Sequence, residues 1–141
     1  MNAYANPVDQ FLVQRVMSAS DEQLAAILLE GSQRYLGQAM RAIKQKDYRL
    51  QARSLSRVAE FLGEMEIRVN REAGTELVEN LDKIYSWWGR ELLEASGTRD
   101  CSRLEFVFRQ MGEMRASWEA LHARKAQSGG AVAFALGDRV V

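Results

Sequence analysis

Residues 20–45 constrain the fold more than any other stretch, because they predict one long helix that is apolar on two sides. Ser20 followed by Gln23 fits a capping box, in which each side chain satisfies a backbone N–H group of the first turn. At 1.5 Å per residue the helix is on the order of 37 Å long. We expect it at the centre of a helical bundle, since its two apolar stripes together exceed the roughly 100° face of a surface helix. The stripes are Leu24, Leu28, Gly31, Tyr35 and Ala39, and Leu29, Leu36, Met40 and Ile43.

Composition narrows the class of protein. A chain of 141 residues with 47% hydrophobic and 27% charged residues is expected to form one globular domain. The formal net charge of zero gives no long-range attraction to nucleic acid or to an acidic membrane. No apolar run is long enough to span a membrane, and the N-terminus lacks the pattern of a secretory signal. With a single cysteine and therefore no intrachain disulfide, the chain is expected in the cytoplasm.

Three further helices are predicted after the first. Asp47 and Thr75 are expected to cap the second and third helices, and Gly74 to end the second in a left-handed conformation. Residues 96–98 should break the third helix, with Asp100 or Ser102 capping the last. The predicted core positions are Leu55, Val58, Ala59, Leu62, Met65 and Val69; Leu77, Leu81, Ile84, Tyr85, Trp88, Leu92 and Ala95; and Leu104, Val107, Phe108, Met111, Met114, Trp118 and Leu121. Four helices with short connections predict an all-α fold, an antiparallel up-down four-helix bundle.

The two ends of the chain are expected to differ from this bundle. Asn6 and Pro7 are favourable at the start of a short helix over residues 8–17, which is too short to be stable alone and must lie against other residues. It is either one more core helix or a detachable cap on the bundle. Residues 128–141 begin with Ser-Gly-Gly and are expected to form a flexible tail, so the helical domain is assigned to residues 1–127.

Residues able to support catalysis are scarce. The only histidine, His122, excludes a di-iron site, which needs a histidine from each of two helices. The only cysteine, Cys101, has no histidine near it in sequence to act as a base. We therefore predict no enzyme activity, no metal site and no cofactor.

Basic residues cluster between residues 34 and 57, where seven lysines and arginines accompany Asp47 as the single acidic residue. A solvated, dipolar surface is the ordinary interpretation of such a cluster. Nucleic acid would need a recognition motif that the segment lacks. An acidic protein partner would suit the basic cluster equally well.

Several short motifs follow one another between residues 4 and 122. They are Tyr4, Ala19 and Ser20; then Leu24, Leu28, Gly31, Leu36, Ala39, Ala42, Ile43 and Asp47; then residues 76–81 with Ile84 and Tyr85; then Arg90, Leu92, Ala95 and Asp100; and finally residues 114–118. In order and spacing they resemble the FliS family of flagellar secretion chaperones. The sequence departs from the family pattern at Asp21, where proline is usual, and at Leu29 and Glu30, where Tyr-Asp is usual.

The resemblance implies a cytoplasmic chaperone that holds the C-terminal segment of unpolymerised flagellin. Such a chaperone prevents premature filament assembly and delivers the subunit to the flagellar type III export gate. It also implies that the N-terminal segment covers part of the flagellin-binding surface in the free protein. The partner-binding residues are assigned to Tyr4, Phe11, Leu12, Ile27, Leu28, Gly31, Tyr35 and Leu62, in a monomer or weak dimer.

Three alternatives stay open at this point, of which the third, an enzyme that uses a buried carboxylate, is supported by no spacing in the sequence. The first is a relative of the family that serves another flagellar or regulatory protein. The second is a homo-oligomeric structural bundle, in which the additional apolar face of the first long helix is the subunit interface.

Overall fold

The structure, a computed structural model, describes residues 13–136, with side chains throughout except at residue 71 and residues 129–136. Four long helices are present: α1 (Asp21–Lys44), α2 (Tyr48–Ile67), α3 (Glu76–Thr98) and α4 (Cys101–Leu136). Residues 13–17 are also helical, a 3-10 turn occupies Arg71–Ala73, and no strand occurs within these described residues. The all-α class is confirmed. Expectations for residues 1–12 and 137–141 lie outside the described residues.

Local hydrogen bonds place the starts of the helices where the sequence predicts them. The Ser20 hydroxyl accepts from the Gln23 backbone N–H at 3.1 Å, and the Gln23 amide oxygen accepts from the Ser20 N–H at 2.9 Å. This is the predicted capping box of α1. Asp47 accepts from the Leu50 N–H at 3.1 Å and Thr75 from the Val78 N–H at 3.3 Å. Both predicted N-caps are confirmed.

Two helix ends differ from the prediction. Gly74 has the expected positive φ of 58°, but α2 already ends at Ile67. The Arg68 N–H is shared between the carbonyls of Glu64 and Met65, a tightening typical of a last helical turn. Conversely, residues 96–98 remain helical, so α3 continues to Thr98, and the C-cap residue Arg99 adopts a left-handed φ of 58°.

The chain divides into two compact units. Leu28–Arg115 forms the larger unit, and its core takes side chains from all four helices. The largest fully buried side chains are Trp88, Leu29, Leu36, Leu104, Met111, Val58 and Val107. All of them occupy apolar positions identified in the sequence analysis. Helical spacing therefore identifies most of this core.

Three positions assigned to the core are exposed instead. Leu77 in the first turn of α3 is 56% exposed, and Ala59 in α2 is also exposed. Leu77 lies at an exposed end of its unit, since every described side chain from Asn70 to Leu77 is exposed. Phe108 in α4 is 37% exposed because it lines a surface groove rather than the core.

Polar contacts join the helices of the larger unit. The Trp88 indole N–H donates to the Gln110 side chain at 2.9 Å, which joins α3 to α4. The Gln33 amide donates to the Phe108 carbonyl at 3.0 Å, which joins α1 to α4. The Ser54 hydroxyl donates to Gln38 at 3.0 Å, which joins α1 to α2. The bonds of Trp88 and Ser54 are partly buried and that of Gln33 is exposed, so the first two favour one alignment of their helices over shifted ones most strongly.

The smaller unit contains the described residues of Met1–Ile27 and Ala116–Val141. Its two segments meet where the Ser20 hydroxyl lies 3.0 Å from His122 Nδ1. Lys125 donates to the Glu22 carboxylate, and this hydrogen bond lowers the pKa of Glu22. Trp118, which we predicted to be a core residue, is only partly buried here.

The N-cap of α2 gives a first testable prediction. Asp47→Ala removes the acceptor of the Leu50 N–H, so the free energy of unfolding should fall by about 1 kcal/mol. Asp47→Asn preserves an acceptor at the same position and should restore most of that loss. Urea denaturation of the three proteins measures the difference. Equal losses in both variants would show that the side-chain acceptor does not stabilise α2.

Candidate functional site

A surface groove lies between α1 and α2 in the larger unit. It encloses about 430 Å³ and is lined by Leu28, Tyr35, Arg57, Glu60, Phe61 and Glu64. Leu28 and Tyr35 are seven residues apart, two helical turns, and therefore lie on one face of α1. The residues from α2 are likewise spaced by three and four. We call this feature the α1–α2 groove.

The groove is built around an aromatic pair that lies over a glycine. The rings of Tyr35 and Phe61 have centroids 5.9 Å apart and are tilted by 33°, a favourable arrangement for aromatic side chains. A Cβ atom placed on Gly31 would lie only 2.6 Å from Phe61 Cζ. The Phe61 ring therefore rests directly against the backbone of α1. Any side chain at Gly31 would push the ring out of this position.

Charged groups border the apolar part of the groove. Arg57 donates to Glu60 at 3.0 Å, and Arg68 lies 3.5 Å from Glu64. Both pairs are solvent-exposed, so each contributes at most about 1 kcal/mol to stability. An apolar floor with a charged border is the arrangement found at protein recognition sites.

The structure brings together three of the eight residues assigned to partner binding. Leu28, Gly31 and Tyr35 meet at the α1–α2 groove. Leu62 is only 4% exposed, and its Cδ2 would lie 3.7 Å from a Cβ atom on Gly89, so it faces α3. Ile27 belongs to the smaller unit, where it lines a separate cavity of about 280 Å³. Tyr4, Phe11 and Leu12 lie outside the described residues.

Phe61 is the residue of this site that sequence reasoning missed. Its neighbour Leu62 continues the core spacing of α2, so the spacing assigns Leu62, and not Phe61, to a contact between helices. The available signal was Gly31, because a glycine in the middle of a helix costs about 1 kcal/mol relative to alanine. Such a glycine often marks the close approach of a bulky neighbour, which here is Phe61.

Metal-binding clusters and membrane-spanning helices are both absent from the part of the chain that the structure describes. It contains no group of three or more histidine, cysteine, aspartate or glutamate side chains placed to hold a metal ion. Cys101 is partly buried, and its thiol points at the Met40 carbonyl at a sulfur–oxygen distance of 3.9 Å. Among the same residues, no helix has the length and apolarity needed to cross a membrane.

Known proteins similar to this chain share one description. The flagellar protein FliS family matches residues 4–125. Flagellar secretion chaperone FliSB of Pseudomonas aeruginosa is 25% identical over 76% of this chain and 85% of its own length. Flagellar secretion chaperone FliS of Salmonella typhimurium is 27% identical over 75% of this chain and 79% of its own length. Flagellar secretion chaperone FliS of Escherichia coli is 30% identical over 74% of this chain and 77% of its own length. The chain therefore belongs to the FliS family of flagellar secretion chaperones, which are not enzymes.

Proposed function

We propose that this protein is a cytoplasmic export chaperone for flagellin. It binds the C-terminal segment of the unpolymerised subunit, prevents premature filament assembly and assists delivery to the flagellar type III export apparatus. Family membership supports the chaperone role. The observation that carries the choice of binding surface is the part-exposed Tyr35–Phe61 pair over Gly31.

The α1–α2 groove suits an apolar segment that orders on binding. Amphipathic helices bind hydrophobic grooves through apolar anchors at helical spacing, and aromatic residues supply much of the binding energy at such surfaces. Tyr35 and Phe61 are only partly buried in the free protein, so each retains apolar area that a client can cover. The ion pairs at the border of the groove remain hydrated beside a bound segment.

The proposed partner-binding set is therefore Leu28, Gly31 and Tyr35, together with Phe61 because it lines the same groove. Ile27 remains a proposed contact of the client that lies away from this groove. Leu62 also remains proposed, although contact with it requires the client to displace its packing against α3. Tyr4, Phe11 and Leu12 are proposed to form the part of the N-terminal segment that covers the client surface in the free chaperone, as the family resemblance implies.

We also propose that the helices form an antiparallel up-down four-helix bundle, a chaperone domain of residues 1–127 followed by a tail of residues 128–141, of which residues 128–136 continue the helix α4. Side-chain contacts within the larger unit support the antiparallel order. Gln51 near the start of α2 donates to the Ser96 carbonyl near the end of α3 at 3.5 Å. Arg103 near the start of α4 donates to Glu91 in the second half of α3 at 2.7 Å.

Calorimetric titration with flagellin tests the proposed client. Full-length monomeric flagellin should bind one-to-one, with a negative heat-capacity change typical of burying roughly 1,000 to 3,000 Å². Flagellin that lacks its C-terminal segment should not bind. Equal binding of both proteins would contradict the proposal. Analytical ultracentrifugation of the free protein distinguishes the chaperone proposal from the homo-oligomeric alternative, because the alternative requires tight self-association.

Gly31→Ala should separate client binding from stability. The new methyl group displaces the Phe61 ring, while alanine favours the helix by about 1 kcal/mol, so the free energy of unfolding should change by no more than about 1 kcal/mol. Affinity for the flagellin C-terminal segment should fall about tenfold, because the aromatic anchor has moved. Calorimetry and urea denaturation measure the two quantities.

The matched control is Gly97→Ala near the end of α3, where an added Cβ meets no atom within 4 Å. It should leave client affinity unchanged. Unchanged affinity in Gly31→Ala as well would contradict the assignment of the Phe61 ring to the binding surface.

A further inference from the structure

A second groove lies between α1 and α4, entirely within the larger unit. It encloses about 730 Å³ and is larger than the α1–α2 groove. The Gln33 side chain of α1 reaches across to α4, where a Cβ atom on Gly112 would lie 2.9 Å from its nitrogen. That nitrogen donates to the Phe108 carbonyl at 3.0 Å, an exposed hydrogen bond that joins α1 to α4 at the groove. We call this feature the α1–α4 groove.

Apolar side chains line part of this groove. The Phe108 side chain is large and apolar, yet it is 37% exposed. Met40, which also lines the groove, is partly buried. A surface phenylalanine at a concave site offers an anchor of the kind that dominates protein interfaces. The groove therefore has an apolar anchor that its own helices leave partly uncovered.

Charge at this groove is predominantly positive. Glu30 and Arg115 face each other at 4.0 Å and largely neutralise one another. Arg34, Arg41 and Lys44 remain, at spacings of seven and three residues along one face of α1, with Glu105 as the other acidic residue of the lining. In the part of the chain that the structure describes, none of these three cations forms an ion pair. Arg41 and Lys44 also complement the negative end of the α1 dipole, but Arg34 lies too far from the helix end to do so.

We propose that the α1–α4 groove binds an acidic amphipathic helix of a partner protein other than flagellin. The apolar face of that helix contacts Phe108 and Met40, and its carboxylates face Arg34, Arg41 and Lys44. From Glu30 to Lys44 the groove follows about 21 Å of α1, which matches a partner helix of about four turns. Charge complementarity of this type increases both the association rate and the specificity of a complex. The proposal is independent of the client assigned to the α1–α2 groove.

The test uses a fluorescein-labelled amphipathic peptide of about four helical turns, with leucine on one face and glutamate on both borders of that face. A second peptide carries glutamine in place of every glutamate. Fluorescence anisotropy should show binding of the glutamate peptide to the full-length protein, weakening as salt is raised. The glutamine peptide should bind much more weakly.

The variant Arg34→Glu/Arg41→Glu/Lys44→Glu should weaken binding of the glutamate peptide at least about tenfold, since three attractions become repulsions. The matched control Arg49→Glu/Arg53→Glu/Arg90→Glu makes the same change in net charge at exposed positions outside both grooves. It should alter binding by no more than about twofold, as expected of distant, screened charges. Circular dichroism verifies that both variants fold.

Three results would overturn the proposal. One is equal weakening by both triple variants, which would show an effect of net charge alone. Another is equal binding of the two peptides, or no binding of either. The third is displacement of the bound peptide by the flagellin C-terminal segment, which would make this groove part of the client site.

Discussion

Trp88→Ala is expected to lower the free energy of unfolding by about 3 to 5 kcal/mol, the usual cost of removing a large aromatic side chain from a core. Trp88 is the largest fully buried side chain of the larger unit, and its ring packs against Tyr85 at a centroid distance of 5.8 Å. The substitution leaves a cavity and removes the donor to Gln110. Urea denaturation followed by circular dichroism measures the loss, and the melting temperature should fall by on the order of 10 °C.

The adjacent tryptophan supplies the matched control. Trp87 is partly buried and contacts the exposed Phe106 edge to face at 5.7 Å. Because it lies at the surface, Trp87→Ala should cost only about 1 kcal/mol. Similar losses from the two substitutions would mean that the core does not centre on Trp88.

Tyr35→Ala combined with Phe61→Ala is expected to weaken binding of the flagellin C-terminal segment about 30-fold or more. One aromatic anchor at the centre of an interface commonly contributes at least about 2 kcal/mol, which corresponds to about 30-fold because about 1.4 kcal/mol is tenfold, and the contributions of adjacent anchors do not simply add. Both side chains are only partly buried in the free protein, so the loss of binding should exceed the loss of stability. Calorimetric titration of the variant against the wild type measures the affinity.

Leu93→Ala combined with Phe106→Ala is the control for that experiment. It also removes two large apolar side chains from the surface, but from α3 and α4 outside the α1–α2 groove. Client affinity should remain within about twofold of the wild type, since neither residue contacts the proposed client. If the control weakened binding as much as the groove variant, the client site would have to be placed elsewhere.

Features that depend on neighbouring residues were predicted well from the sequence. The capping box of Ser20 and Gln23 and the N-caps at Asp47 and Thr75 involve contacts over three residues, so the local sequence determines them. The periodicity of 3.6 residues likewise identified Trp88 as a core residue. Phe108 shows the limit of that argument, because a residue at core spacing can also line a groove between two helices.

The site was predicted less completely for a physical reason. Leu28, Gly31 and Tyr35 lie on one face of α1 and could be grouped from their spacing. Their counterpart on α2, Phe61, could not be identified from spacing. Phe61 and Leu62 are adjacent in sequence, and their side chains point in directions that differ by about 100° around the helix. Which of the two faces α1 depends on how α2 is rotated against its neighbours. That rotation follows from contacts across the whole unit rather than from the sequence of α2.

Site-specific photo-crosslinking tests the central claim, that the C-terminal segment of flagellin binds in the α1–α2 groove. A photo-reactive phenylalanine analogue replaces Tyr35 in one chaperone and the exposed Leu93 in another, and each is irradiated with monomeric flagellin. Mass spectrometry then identifies the crosslinked flagellin residues. The account predicts crosslinks from position 35 to the C-terminal segment and none from position 93. Equal crosslinking from both positions, or crosslinks from position 35 only to other parts of flagellin, would contradict it.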